Sequence, residues 1–426
     1  MKNYKAIVIG AGSRGRGYSD IMKKLDDGRF TIVGVAEPLK DRRNYIKDYH
    51  NLEDKNCFND WREILSVPKF ADVAIIATMD RDHAEPAIKA MEMGYDLLLE
   101  KPAAPTAKDC MDIYRAAKKY GRKVMVCHVL RYTDFYKKLK ATIQSGVIGE
   151  VVSVNHIEAV EPRHQSHSFV RGNWGNSERS STMLLQKSCH DIDILQWLLE
   201  KDCEQVQSFG ALKYFTPENA PEGAPERCTD GCPHAEDCYY NAIKLYYDNK
   251  KHDWFRRSST KLPDPTDEDV MNALKTTQYG KCVYKCDNDV VDRQSVNMMF
   301  EDGIVCNFTM SAFCEEGRVT RIMGTKGSIN ASMKTGEVKV KLFGQDEYEV
   351  EDDSELIGDT IVSGHGGGDT GIILALYDYL EGNISADEVS EIGISCKNHL
   401  IVFAAEESRL NNTVVNFKDF MKKYLF

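Results

Sequence analysis

No run in this 426-residue chain approaches the roughly 20 consecutive apolar residues that a membrane helix needs. Basic residues are in the minority. The 55 Lys and Arg against 66 Asp and Glu leave a formal net charge of −11, and no basic stripe suited to a phosphate backbone occurs. Membrane-spanning and nucleic-acid-binding roles are therefore not expected. The first residues are polar and pass at once into an apolar strand, without the longer apolar core of a secretory leader, so the cytoplasm is the expected location. Internal repeats are absent too. What is present is a globular composition, 42% hydrophobic and 28% charged, in a chain too long for one ordinary core and suited to two domains plus an insertion. Thirteen cysteines, an odd number without a secretion signal, are expected to be mostly reduced thiols.

The stretch Lys5–Gly17, KAIVIGAGSRGRG, organises the rest. Ala6–Ile9 is long enough for one buried strand. It ends in Gly10-Ala11-Gly12-Ser13-Arg14-Gly15, a G-x-G-x-x-G, and Tyr18, Ile21, Met22 and Leu25 follow at helical spacing. Strand, tight turn and helix in that order predict a dinucleotide site: Gly10 for the turn, Gly12 for close approach of a pyrophosphate and Gly15 for helix–strand packing, with the helix N-terminus facing negative charge. Ser13 and Arg14 belong to the same cradle. Thr31–Ala36 is a second strand and stops at Glu37, 22 positions past Gly15. An acid there binds a ribose 2′-hydroxyl and favours NAD over NADP, although Arg42 and Arg43 stand close by.

Asp72–Thr78 and Tyr95–Leu99 are further strands, almost wholly apolar as a sheet covered on both faces requires. Thr78 and the segment Met79–His83 lie at the carboxyl end of one of them, where open α/β sheets bind ligands. The other runs into Glu100-Lys101-Pro102. Thr106-x-x-Asp109 has the form of a helix start, and Lys123–Val126 closes a β-α-β-α series. These elements predict a doubly wound parallel sheet over residues 1–126. From spacing alone Lys101 is either a solvated surface lysine or a proton-exchanging group beside the cofactor crevice, where a cationic nicotinamide would lower its pKa.

The N-terminal fingerprint together with Glu-Lys-Pro near residue 100 resembles the glucose–fructose oxidoreductase / inositol dehydrogenase / MocA family, and the resemblance covers essentially the whole chain. It implies that residues 127–426 form an α/β domain with a large, mostly antiparallel sheet that pairs subunits into a dimer or tetramer. It also implies that Lys101 acts in catalysis and in binding substrate hydroxyls. His128–Tyr132, with Arg131, resembles the crossing into that domain.

Within Met183–Leu199, His190 and Asp193 lie one turn apart on a helix face. They match the second and third positions of the family's acid, histidine, aspartate pattern. Gln186 stands where many members carry Asp, followed by Lys187 as a possible substrate contact. A histidine there suits general acid–base work. In the strand 149–158, His156 and Glu158 are either substrate contacts or edge positions. The polar, His-rich stretch 164–174, ending in Trp174, reads as a loop suited to a polyol or a metal. In Ser363–Asp369, four glycines with His365 and Asp369 form either part of the substrate pocket or a mobile turn capped by Asp369. Asp302-Gly303 is a hairpin dipeptide, and 346–355 is a solvated acidic run.

Residues of about 215–286 depart from the family core. Cys228-x3-Cys232-Pro-x4-Cys238, followed by Cys282-x3-Cys286, predicts a structural metal site, since four soft ligands can staple a segment with little core. Zinc on Cys228, Cys232, Cys238 and Cys282 is the expectation, with an iron–sulfur cluster or free thiols as alternatives and Cys286 as the rival fourth ligand. Taken together, these features predict hydride transfer between NAD and a secondary hydroxyl of a sugar, glycoside or cyclitol, with Lys101 and His190 sharing proton transfer and oxygen stabilisation. The alternatives are a redox-neutral glycosidase or lyase that uses NAD through a keto intermediate, and a non-catalytic dinucleotide sensor.

Overall fold

The computed structural model describes residues 1–250, 253–351 and 366–425. Its first sheet has six parallel strands: β1 (Tyr4–Ile9), β2 (Phe30–Ala36), β3 (Cys57–Phe58), β4 (Val73–Ile76), β5 (Asp96–Leu99) and β6 (Val124–Val126). Their order is β3-β2-β1-β4-β5-β6. Helices α1 (Ser13–Lys24), α2 (Lys40–His50), α3 (Ala84–Glu92) and α4 (Ala107–Tyr120) connect strands of this sheet. Every residue of β4 is buried, as expected for a strand covered on both faces. Helix α4 starts where Thr106 Oγ1 accepts from the Asp109 N–H at 3.1 Å, and it ends at Gly121 in the left-handed region.

After α5 (Asp134–Gln144), the second sheet opens with β7 (Val151–Ala159). Helices α6 (Met183–Gln186) and α7 (Cys189–Leu199) lead to β8 (Cys203–Ala211). The insertion carries α8 (Asp253–Thr260) and α9 (Asp267–Thr276). The remaining strands are β9 (Arg293–Phe300), β10 (Val305–Ser311), β11 (Arg318–Gly324), β12 (Gly327–Ser332), β13 (Glu337–Leu342), β14 (Glu349–Glu351) and β15 (Val415–Asn416). Their order is β14-β13-β12-β11-β7-β10-β9-β8-β15, and only the β7–β10 pair is parallel. Asp302 and Gly303 take φ values of 60° and 72° at the β9–β10 turn, as a primed hairpin turn requires.

Two expectations change in detail. The stretch 183–199 is not one helix, because Ser188, with φ −97° and ψ 5°, breaks it between α6 and α7. The stretch 164–174 is not an open loop. Gln165–Arg171 is helical and all seven side chains are buried, drawn in by Phe169 and Val170. The acidic run 346–355 lies partly outside the described residues.

The chain then returns to the first sheet. Helix α10 (Gly368–Glu381) packs Ile372, Ile373, Leu376 and Tyr377 into the same core as Tyr4, Phe30 and Ile32. The Val126 N–H donates to Ser390 O at 2.8 Å, just before α11 (Ile392–Asn411). The final helix is α12 (Phe417–Leu425). Among the described residues no helix is long and apolar enough to cross a membrane.

Candidate active site

Gly10 adopts φ +89°, and a Cβ there would stand 2.5 Å from Ala77 O. A Cβ on Gly15 would stand 2.0 Å from Gly10 O. Both positions need glycine for packing. Gly12 is different: a Cβ there would meet only Arg42 Nη1 at 3.6 Å, so this glycine faces open space. It precedes α1 without any side-chain cap on the helix N-terminus, which leaves the first amides of Ser13 and Arg14 facing outward for an anion. A dinucleotide pyrophosphate fits this cradle. Glu37 ends β2 and is buried. Its Oε2 accepts from the Ala11 N–H at 2.7 Å and its Oε1 from the Leu39 N–H at 2.9 Å. The carboxylate is thus pinned beside the glycine turn, where a ribose hydroxyl would reach it.

Arg14 does more than line the loop. Its Nε donates to Glu100 Oε1 at 2.8 Å, and its two terminal nitrogens pair with the Asp369 carboxylate at 3.0 and 2.6 Å. Tyr18 joins from α1, giving its hydroxyl proton to Glu100 Oε1 at 2.6 Å. Burial pushes the Glu100 carboxyl up, but the charges of Arg14 and Lys101 outweigh it and hold the pKa below the usual value. Asp369 therefore ties α10 to the cofactor loop. His365 lies outside the described residues. Thr78 Oγ1 donates to Asp82 O at 2.9 Å, and His83 is buried with its ring nitrogens 2.8 Å from Pro102 O and 3.2 Å from Thr78 O. His83 thus spans the carboxyl ends of β4 and β5.

Lys101 leaves the end of β5 and reaches α6, where its Nζ donates to Gln186 O at 2.7 Å. His190 lies four positions further on, in the first turn of α7. The Gln186 side chain donates to Asp80 Oδ2 at 2.6 Å and to Ser181 Oγ at 2.8 Å. An aspartate at 186 would face Asp80 as a second carboxylate, so the amide suits this neighbour. Asp193 is not open to a ligand. Its two oxygens accept from Arg131 Nε and Nη2, each at 2.7 Å, and Asn398 Nδ2 adds a third bond at 2.6 Å. His128 lies 3.9 Å from Asp193 and edge-on to His190, with ring centroids 5.8 Å apart. Arg131 and Asp193 together form a buried brace behind His190.

Lys187 pairs with Glu158 at 3.0 Å. Arg318 pairs with Glu158 at 2.8 Å and with Asp191 at 2.7 Å. His156 closes this network with Nδ1 2.8 Å from Thr320 Oγ1 and Nε2 3.1 Å from Asp191 Oδ1. The His156 ring is wholly buried, so it positions Asp191 and offers no surface to a ligand. Trp174 is partly buried and packs towards Phe169 at a centroid distance of 6.2 Å, with its buried indole N–H lacking a hydrogen-bond partner. One further group was visible in the sequence only as part of a stretch. His164 is kept neutral first by burial and then by Lys187, His167 and Lys101. It belongs to the surroundings of the two lysines.

Cys228, Cys232, Cys238 and Cys282 line one cavity in the insertion. Cys286 turns away, its thiol donating to Cys282 O at 3.3 Å. The expectation of zinc is not supported. Among the described residues, no three His, Cys, Asp or Glu side chains are grouped so that they could hold a metal ion. The four thiols border a space and do not close on one point.

Residues 4–128 match the family model described as oxidoreductase family, NAD-binding Rossmann fold, and residues 140–385 match its C-terminal alpha/beta domain. YteT of Bacillus subtilis is 28% identical over 298 residues, 65% of this chain and 67% of YteT. Inositol 2-dehydrogenase of Salmonella typhimurium is 28% identical over 208 residues, 48% of this chain and 57% of that enzyme, so the matched segment spans little more than half of it. Levoglucosan dehydrogenase in complex with NADH and L-sorbose has a similar fold, with a TM-score of 0.69, 20% identity and coverage of 98% and 99% of the two chains. An oxidoreductase from Agrobacterium radiobacter, in complex with NAD+, L-tartaric acid and magnesium, superposes equally well at 14% identity, again with 98% and 99% coverage. With both domain models matched in order, this chain belongs to the Gfo/Idh/MocA oxidoreductase family.

Proposed function

We propose that this protein transfers hydride between a secondary hydroxyl of a sugar, glycoside or cyclitol and NAD. The observation that carries this reading is the reach of Lys101 from the end of β5 to Gln186, four residues before His190, beside a glycine loop shaped for a dinucleotide. Gly10, Gly12, Ser13, Arg14 and Gly15 would hold the pyrophosphate, with Thr78 and His83 at the far end of the crevice. Glu37 would take the ribose diol, and its charge disfavours the additional phosphate of NADP. When bound, the nicotinamide supplies the hydride acceptor. His190 takes the hydroxyl proton, because a neutral imidazole carries a lone pair and an ammonium carries none. Lys101 has three N–H donors and spends one on Gln186 O, which leaves the others for the substrate oxygen. Lys187 and Trp174 offer polar contacts to the remaining hydroxyls, while Arg131, Asp193 and His156 hold the frame behind them. Asp369 ties the start of α10 to this end of the crevice through Arg14.

The second reading is the redox-neutral route, in which bound NAD would be reduced and reoxidised within one turnover of a glycosidase or lyase. A panel of sugars, glycosides and inositols incubated with NAD separates the two. Stoichiometric NADH absorbance is the expected result. Product formation without it would assign the redox-neutral route, and a panel without any turnover would sink both.

A further inference from the structure

Cys228, Cys232 and Cys238 come from one short run and Cys282 from a second, and the backbone clamps the two runs together. Arg227 and Lys281 form an isolated antiparallel bridge, Cys228 N–H donates to Gly280 O at 2.9 Å, and Cys282 N–H donates to Glu226 O at 2.9 Å. All four thiols line the same cavity, together with Arg171, His234 and Tyr240. Arg171 is the informative neighbour, because its side chain is only 1% exposed. Its Nε donates to Lys281 O and its Nη2 to Tyr240 O, each at 2.7 Å, and Nη2 lies 3.8 Å from Cys228 Sγ. Nη1 has no hydrogen-bond partner. Among the described residues no carboxylate pairs with Arg171. A buried guanidinium without a counter-charge is costly, so the cavity is built for something anionic.

A single thiolate-bound ion does not match the frame, since no three of the possible ligands are grouped tightly enough for one. The sulfurs around a sulfide-bridged cluster stand farther apart, because several metals and bridging sulfides lie between them, and four thiolates leave such a cluster negative overall. We infer that the cavity bordered by Cys228, Cys232, Cys238 and Cys282 binds a polynuclear iron–sulfur cluster, with Arg171 as its buried counter-cation. The four thiols lose their protons to solvent when they become ligands, and Cys286 stays outside. The cluster staples the insertion, whose hydrophobic groups are small: Val170, Phe215, Tyr240, Val283, Tyr284 and Ala312 in one, with a second around Tyr246. This inference is independent of the reaction proposed above.

The test is isolation of the full chain under anaerobic conditions, followed by assay of iron, acid-labile sulfide and zinc. Iron and sulfide in matching amounts, roughly two to four per chain, with broad visible absorption, are expected. Zinc without sulfide, or a colourless protein lacking both iron and sulfide, would overturn the inference. Cys232→Ser should lose iron and sulfide together, whereas Cys286→Ser should retain both. Loss in Cys286→Ser alone would overturn the ligand assignment. Should Cys232→Ser fail to fold, the iron and sulfide content of the unaltered chain still decides. In Arg171→Met the cluster should be released to a chelator several-fold faster, and unchanged release would remove the counter-cation role.

Discussion

Gly15 has room for a hydrogen and nothing larger, since a Cβ would lie 2.0 Å from Gly10 O, a main-chain atom that cannot swing aside. Gly15→Ala should therefore destabilise the protein by about 1–3 kcal/mol and weaken NADH binding. Denaturant unfolding and cofactor fluorescence check the two effects separately. Lys101→Ala removes the donor that the proposed reaction directs at the substrate oxygen, but no part of the glycine cradle. It should lower kcat by about 10²–10⁴-fold with NADH binding preserved, and undiminished turnover would remove Lys101 from the mechanism. Gly15 was legible in the sequence because its role depends on near neighbours, a strand before and a helix after, whereas spacing alone left Lys101 open between a surface and a site position and only the family resemblance singled it out. Arg14 was legible only as part of the loop. Its partner Asp369 is 355 positions away, and no local pattern joins the two. The same distance problem hid the brace of Arg131, Asp193 and Asn398, and the seclusion of His156.

Elements were easiest to read where apolar spacing and a terminator agree. Helix α4 has both Thr106 and Gly121 and falls where expected. The stretch 165–171 has neither, and its polar letters, Gln-Ser-His-Ser, suggest a loop. Burial of those side chains inside the domain turns it into a helix. Between α7, β7 and β11 lies the network Lys187, Glu158, Arg318, Asp191 and His156. Burial raises the Asp191 pKa, but Arg318 and His156 together prevail and bring it to about 2. Arg318 is almost wholly buried and serves two carboxylates. Arg318→Met should cost about 3–5 kcal/mol, because it takes the shared buried cation away from both the Glu158 and the Asp191 carboxylates. Thermal unfolding measures that loss, and a variant as stable as the parent would show that the network contributes nothing.

Among the described residues, the imidazoles of His128, His167 and His399 are deeply buried, and their protonation opposes folding. Burial lowers the pKa of His128 to about 4, and those of His167 and His399 to about 3. In the unfolded chain each would take up its proton near about pH 6.5. Between that pH and the folded value, the unfolded state binds more protons than the native one. Stability must then fall as the pH drops through this window, by up to about 1.4 kcal/mol per pH unit for each ring. Urea midpoints across the window should decline on the acid side, and the decline should be shallower in His399→Gln. An unchanged midpoint would mean that these rings accept protons in the native state.

The return of α10 and the Ser390 segment to the first sheet has a consequence for anyone recombining such proteins. A chimera cut only near residue 126 would leave Tyr4 and Phe30 without Tyr377, and Arg14 without Asp369. The unit that can be exchanged is the N-terminal sheet together with α10, two stretches of chain that are far apart in order yet inherit or fail as one.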